Sequence, residues 1–370
     1  MQERIIKIYH KTIGSPYYHY NCEKLAEDLN DLGVTAIMTP GYDETGPHYP
    51  SSFSKKSETP PYLPQLAKAL KQYNIQTILT APIFHDPQYF DAHPDQAPVD
   101  QLGNPFQPTD WYKPVCPSDL EFRELRLRQL RELLRIMKPD GLSLDFIRFP
   151  LFWETLDYSQ PGTAIPEFCF CSRCLKAFQI TMHVALSDSE SSAKAATQIL
   201  QTFPTKWHEW KGRVIKSFVK KTFSLARQLS LETSPILHFV PLDGPAFPFD
   251  VQQRLGQRLA ALSPEIDTIH PLLYHQVLQQ SPGWVHQYIQ YLAQTTHKHI
   301  LPAIQAGRIY KSAELPLSEF LEVAHLALLP PSRGVAIFSY DLLCPSPHAN
   351  PRESEGFQRL KALFSHSGRG

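Results

Sequence analysis

The run GLSLDFIRFP, Gly141 to Pro150, has the apolar character of a buried strand, yet it carries a carboxylate, Asp145, and a guanidinium, Arg148. Side chains alternate along a strand, which puts Ser143, Asp145, Ile147 and Phe149 on one side and Leu142, Leu144, Phe146 and Arg148 on the other. A carboxylate inside a protein is costly unless it is paired or hydrogen-bonded. Two readings follow. Asp145 stands at the open end of a closed sheet as a catalytic or substrate-binding group with Arg148 turned over it. Alternatively, Asp145 and Arg148 form an ion pair that only closes the top of that sheet.

Other apolar runs end in groups that could join Asp145. FVPLDG ends in Asp243, IHPLLYHQ supplies His270, Tyr274 and His275, PAIQAG supplies Gln305, and FSYDLL supplies Asp341. Asp86, Trp111, Glu154 and Glu167 lie in the long segments between runs. Carboxylates, amides and aromatic rings around one mouth suit a sugar, whose ring faces stack on Tyr or Trp and whose hydroxyls bond Asp, Arg, His and Gln. Cleaving a glycosidic bond requires two carboxyl groups, one of them a proton donor. Asp145 is the first of these and Asp243 the expected partner, with Asp341, Glu154 and Glu167 as competitors. Arg148, Tyr274, Gln305 and Trp111 are expected to hold the sugar, with His275 and Asp341 beside them.

A second constellation is EFCFCSRCLKAF, with Cys169, Cys171 and Cys174 at C-x-C-x-x-C spacing. Three thiolates so spaced can turn to one soft tetrahedral ion such as zinc, which then needs a fourth ligand. Cys116 in KPVCPSD is the expected fourth; Cys22 and Cys344 also follow strand ends, and unligated thiols are the alternative. Four sulfurs leave no open coordination position, so the metal is expected to be structural.

Eight β-rich runs, beginning at Arg4, Val34, Ile75, Gly141, Pro235, Ile266, His299 and Arg333, alternate with segments of helical period such as CEKLAEDLNDLG and DLEFRELRLRQLRELLRIM. Eight strand–helix units in 370 residues predict a (β/α)8 TIM barrel, one domain over residues 1–370. Long loops are expected after strands 3 and 4, the second a cysteine-containing insertion at about 151–204. Both emerge at the C-terminal face, where barrel enzymes place their chemistry.

Composition narrows the alternatives. The 36 basic and 36 acidic residues cancel and no Lys/Arg run occurs, which argues against nucleic acid or an anionic membrane as partner. No apolar stretch reaches the length of a membrane span and none resembles an export signal, so the expected compartment is the cytoplasm. No G-x-G-x-x-G turn, P-loop, H-E-x-x-H or G-x-S-x-G motif is present, and no organic cofactor is expected.

Two sets of motifs resemble known glycoside hydrolases. VCPSDLEFRE together with CFCSRCLKAF is similar to the structural zinc site of family 42 β-galactosidases, and that resemblance maps Cys116, Cys169, Cys171 and Cys174 onto the metal ligands. DGLSLDFIRFP, IDTIHPLLYH, LPAIQAG and GVAIFSYD resemble strand motifs of uncharacterised glycosyl-hydrolase-like barrels, in which the Asp of D-x-I-R-x-P, here Asp145, is the presumed catalytic carboxylate. Family 42 enzymes use an Asn-Glu pair at the fourth strand end and a Glu on the seventh. This chain has Phe146-Ile147 and Gln305 there, so the two-glutamate mechanism does not transfer. The resemblance implies either a glycoside hydrolase that pairs Asp145 with a different acid or an inactive carbohydrate-binding barrel. A lyase or isomerase that clamps an acidic sugar through Arg148 is the third possibility.

Overall fold

The computed structural model describes residues 2–53, 59–108, 110–158, 160, 165–187, 191–229, 231–244, 247, 251–310 and 312–367. Each of the eight runs contains a strand. They are β1 (Glu3–Lys7), β2 (Ala36–Pro40), β3 (Gln76–Pro82), β4 (Gly141–Asp145), β5 (Ser234–Phe239) and β6 (Thr268–Pro271). The seventh run gives two pieces, β7 (His299–Ile300) and β8 (Ala303–Gln305), and the eighth gives β9 (Gly334–Phe338). The split falls at Leu301-Pro302, where proline has no N–H to give the ladder.

All nine strands form one parallel sheet in the order β8-β9-β1-β2-β3-β4-β5-β6-β7. Its two ends, β8 and β7, are consecutive pieces of one chain segment, and Leu272 bridges to Ala303 just past β6. The sheet therefore curls round on itself in the manner of a TIM barrel.

Helices return the chain between strands: α1 (Cys22–Leu32), α2 (Leu63–Lys71), α3 (Leu120–Met137), α4 (Ser172–Met182), α5 (Ser192–Thr202), α6 (Pro204–Gln228), α7 (Pro282–Thr296), α8 (Leu317–Leu328) and α9 (Glu355–Ser367). Among the described residues, no helix is long and apolar enough to cross a membrane. The VQQRLGQRLAAL segment, of helical period, breaks into Val251–Leu255 and Leu259–Leu262. Gly256 between them has φ +72°, and a Cβ there would stand 2.9 Å from the Lys211 carbonyl oxygen. That left-handed turn lets α6 approach closely and ends the first helix.

Two apolar regions hold the molecule together. The larger lies between sheet and helices, and the smaller comprises Ile5, Ala36, Met38, Ile78, Ile236, Leu301 and Ala336. Strand alternation puts Ile5 on the face of Lys7, Ile78 on that of Thr80, Ser143 on that of Asp145 and Ile236 on that of His238. The smaller cluster thus plugs the inside of the barrel from below. One alternation step further along β1, β3, β4 and β5, the inward residues are Lys7, Thr80, Asp145 and His238, and there the site begins.

Candidate active site

A cavity of about 850 Å³ opens above this plug, at the C-terminal ends of the strands. Lys7, Thr80, Asp145 and His238 form its floor, one each from β1, β3, β4 and β5. Asp145 Oδ1 lies 3.0 Å from His238 Nδ1, and the same oxygen accepts the Phe146 N–H at 2.8 Å. The Asp145 side chain keeps 23% of its surface open, on the cavity side, while His238 is buried and stacks on His270 at 4.7 Å. Burial works to raise the Asp145 carboxyl, but His238, Lys7 and Arg148 outweigh it and hold it well below the usual carboxylate range. Burial also lowers Lys7, to about 8, against the opposing pull of Asp145. Burial lowers His238 as well, against the opposing pull of Asp145.

The chain turns sharply after Asp145. Phe146 has φ +49°, a left-handed conformation that costs a bulky residue about 1–3 kcal/mol. The turn ends the in–out alternation and points the Phe146 N–H at Asp145. It also seats Arg148 over the Phe146 ring at 4.9 Å. Arg148 is 4% exposed and reaches the cavity, but it makes no ion pair with Asp145 within 4.0 Å among the described residues. The barrel-closing Asp145–Arg148 bridge is therefore not formed; Asp145 is held from the side by His238.

Nine residues after Asp145, in the turn Trp153–Thr155, Glu154 lines the same cavity. Its Oε2 is buried without a hydrogen-bond partner. Burial pushes its carboxyl up to about 7, with Arg148 opposing and Asp145 adding to the rise. The cavity thus holds one carboxylate kept ionised and one carboxyl that keeps its proton near neutrality, the pairing that separates base or nucleophile from acid. Trp111, 37% exposed, and Tyr310 form an aromatic side wall with ring centroids 6.2 Å apart. Tyr274 packs deeper, between Trp153 and Phe338.

No family profile and no curated protein matches this chain. Solved structures do. The PgaB (BpsB) glycoside hydrolase domain from Bordetella bronchiseptica superposes with a TM-score of 0.72 at 12% identity, covering 98% of this chain and 99% of that one. The fold is a glycoside hydrolase-like barrel. The catalytic domain of β-amylase from Paenibacillus polymyxa matches at TM-score 0.65 and 11% identity, over 99% of this chain and 98% of that one. A β-galactosidase from the psychrophilic Marinomonas ef1 matches at 0.68 and 11%, over 98% of this chain and 59% of that longer one.

Within this glycoside hydrolase-like barrel the sequence-derived residues divide. Asp145, Arg148, Tyr274, Trp111 and Asp341 line the cavity; Asp341 does so while paired to Lys11 at 2.6 Å. Asp243, His275 and Gln305 do not line it. Asp243 bonds the hydroxyls of Tyr288 and, at 3.4 Å, Tyr291 on α7. His275 Nε2 bonds Glu319 at 2.8 Å at the foot of α8, and Gln305 donates to the Gly307 carbonyl at 3.0 Å. Glu167 is bound to Lys211 at 2.7 Å and to the Trp207 indole at 2.9 Å, away from the cavity. Of the competing acids, Glu154 and Asp341 share the cavity with Asp145, and Asp341 is taken up by Lys11. Lys7 and His238 escaped the sequence reading although both carry the signal that singled out Asp145: a polar side chain at the last inward position of an apolar run.

The four cysteines of the second constellation converge. Cys116, Cys169, Cys171 and Cys174 are buried, with all four sulfurs within 4.8 Å of one another. Cys116 Sγ lies 3.8 Å from Cys171 Sγ and 3.3 Å from Cys174 Sγ. Zinc–sulfur bonds of about 2.3 Å in a tetrahedron put sulfurs about 3.8 Å apart, so the set fits such an ion. The surroundings suit its negative charge: Val99 N–H donates to Cys169 Sγ at 3.4 Å, and Arg123 and Arg173 pack nearby. Cys22 instead faces the Tyr20 and Tyr62 carbonyls and Cys344 faces Ser354, so neither supplies a fourth ligand. The cluster joins the loop after β3 to the loop after β4, and Phe170 N–H bonds the Val99 carbonyl across the same junction.

Proposed function

We propose that this protein hydrolyses a glycosidic bond, with Asp145 as the charged carboxylate and Glu154 as the proton donor. One observation carries the proposal: among the carboxyl groups that line the barrel-mouth cavity, Asp145 is held ionised while burial pushes Glu154 up to about 7. Glu154 gives its proton to the departing glycosidic oxygen. Asp145 faces the anomeric carbon, where positive charge develops in an oxocarbenium-like transition state. A carboxylate with a strongly lowered pKa is a poor base and stays charged, which supports an electrostatic role for Asp145 at the anomeric carbon. Lys7 and His238 keep it aimed. Trp111 and Tyr310 offer faces for a sugar ring, and Arg148, which lines the same cavity, bonds hydroxyls. Glu154 takes the role expected above of Asp243.

Cys116, Cys169, Cys171 and Cys174 would hold a structural zinc that clamps the loops bearing Trp111 and Glu154. The ion supplies no chemistry in the cavity. The neighbouring folds named as glycoside hydrolase, β-galactosidase and β-amylase support the carbohydrate reading.

The test is release of new reducing ends from a panel of oligosaccharides by the purified protein. Wild type cleaves at least one, and Asp145→Asn and Glu154→Gln each lower kcat by about 100-fold or more. Saccharide binding without turnover at any enzyme concentration would instead identify an inactive binding barrel.

A further inference from the structure

A third cluster lies at the rim of the cavity and takes no part in the proposed hydrolysis. His10 sits in a one-turn helix, His10–Ile13, just after β1. Asp43 and His48 come from the small hairpin Tyr42–Asp43/Gly46–Pro47 and its exit, just after β2. His10 Nδ1 lies 2.8 Å and His48 Nε2 2.9 Å from the same oxygen, Asp43 Oδ2. The three atoms all fall within 4.8 Å of one another.

On Asp43 and His48 the atoms that face away are tied down. Asp43 Oδ1 accepts from the Thr45 N–H at 2.9 Å and from the Thr45 hydroxyl at 2.7 Å. His48 Nδ1 meets the Thr59 hydroxyl at 3.2 Å, and the His48 ring is fully buried. Outer contacts of this kind fix the tautomer and direction of metal ligands. His10 and Asp43 border the cavity, and His10 is 25% exposed, so the side opposite His48 is open.

We propose that His10, Asp43 and His48 bind a divalent ion of the zinc class, with an open coordination position turned to the cavity. Two imidazoles and one carboxylate are a donor set that zinc accepts, and three protein ligands leave a place for water or a substrate oxygen. Tetrahedral bonds of about 2.1 Å separate ligand atoms by roughly 3.4 Å, so the two contacts need to open by only about half an ångström. The two imidazoles would then give lone pairs to the ion instead of protons to Asp43. The site differs from the cysteine cluster in position and in chemistry, and it stands whether or not the protein hydrolyses glycosides.

The experiment uses the full chain, stripped with a chelator, refilled with Co²⁺ or Zn²⁺ alone and dialysed. Elemental analysis should find one ion per chain fewer in His10→Ala and in Asp43→Asn than in wild type, with far-UV circular dichroism unchanged. Asp43→Asn keeps the shape of the side chain and guards against a folding artefact. Thr59→Ala should weaken the Co²⁺ affinity about 10-fold by loosening His48. With Co²⁺, Cys171→Ser should remove the intense thiolate charge-transfer band and leave the weaker visible bands of the nitrogen–oxygen site. Equal metal content in wild type, His10→Ala and Asp43→Asn would overturn the proposal and leave Asp43 as a hydrogen-bonding bridge between two imidazoles.

Discussion

Glu154 makes a testable trade between stability and function. Its carboxyl stands at about 7 in the fold against an ordinary 4.5, so the native state holds that proton more tightly than the unfolded chain. The resulting stability is fully present below the unfolded value and is lost as pH rises through 7. The raised pKa corresponds to about 3 kcal/mol over that window. Glu154→Gln, which mimics the protonated acid, should therefore melt at a higher temperature than wild type at pH 8 and at nearly the same temperature at pH 4.5. Calorimetry at the two pH values checks this. The same titration should appear in catalysis: kcat/KM declines about tenfold per pH unit above 7 in wild type. Residual activity of Glu154→Gln should lack that limb. A limb that survives in the variant would assign the proton to another group, with Lys7, at about 8, the next to examine.

At this scale Asp145 was legible because a charge stood at an inward position of an otherwise apolar strand. Asp243 misled because counting along a strand gives the direction of a side chain only while the backbone stays extended. β5 ends at Phe239, the inward group there is His238, and by Asp243 the chain has reached α7. His275 and Gln305 failed similarly, each captured by a nearby backbone or helix group.

Elements of regular structure were easier to read than the loops that build the site. Strand and helix periods marked every barrel unit, and Pro302 and Gly256 account for the two interruptions. The loops after β3 and β4 have no period, and their course follows from long-range contacts. The Asp100–Phe168 bridge, the Val99–Phe170 hydrogen bond and the cysteine cluster tie them to each other. The C-x-C-x-x-C spacing alone announced that a tie existed. With the proposed structural zinc in place, Cys171→Ser should release the ion and lower stability by several kcal/mol, since such a zinc contributes directly to folding. It should raise KM and lower kcat together, because Trp111 and the proton donor Glu154 both lose their positions while Asp145 stays on its strand. Zinc analysis, thermal melting and steady-state kinetics on this one variant test all three statements.

For the molecule as a whole, the decisive junction is the seam between β1 and β9. Gly334 pairs with Glu3 there, and a Cβ on Gly334 would fall 1.9 Å from the Glu3 carbonyl oxygen, deep inside a forbidden contact. Gly334→Ala should prevent close pairing at that point and cost more than the 0.5–3 kcal/mol of an ordinary substitution, about 4 kcal/mol or more. Chemical denaturation measures it, and an unchanged midpoint would show that the seam can yield. The alternation of units announced a closed sheet, but a single sequence gives no register, and so did not reveal which glycine the closure depends on.

That seam also sets the order of events during synthesis. The strand β1 leaves the ribosome long before its second neighbour β9, so one edge of Glu3–Lys7 stays bare until β9 emerges. An open edge beside an unfinished apolar interior invites pairing with other nascent chains. Arg4, whose guanidinium reaches the Phe364 carbonyl at 2.9 Å, gains that contact only when α9 has been translated. The amine of Lys7 is likewise enclosed late, after the wall it shares with Phe338 has arrived.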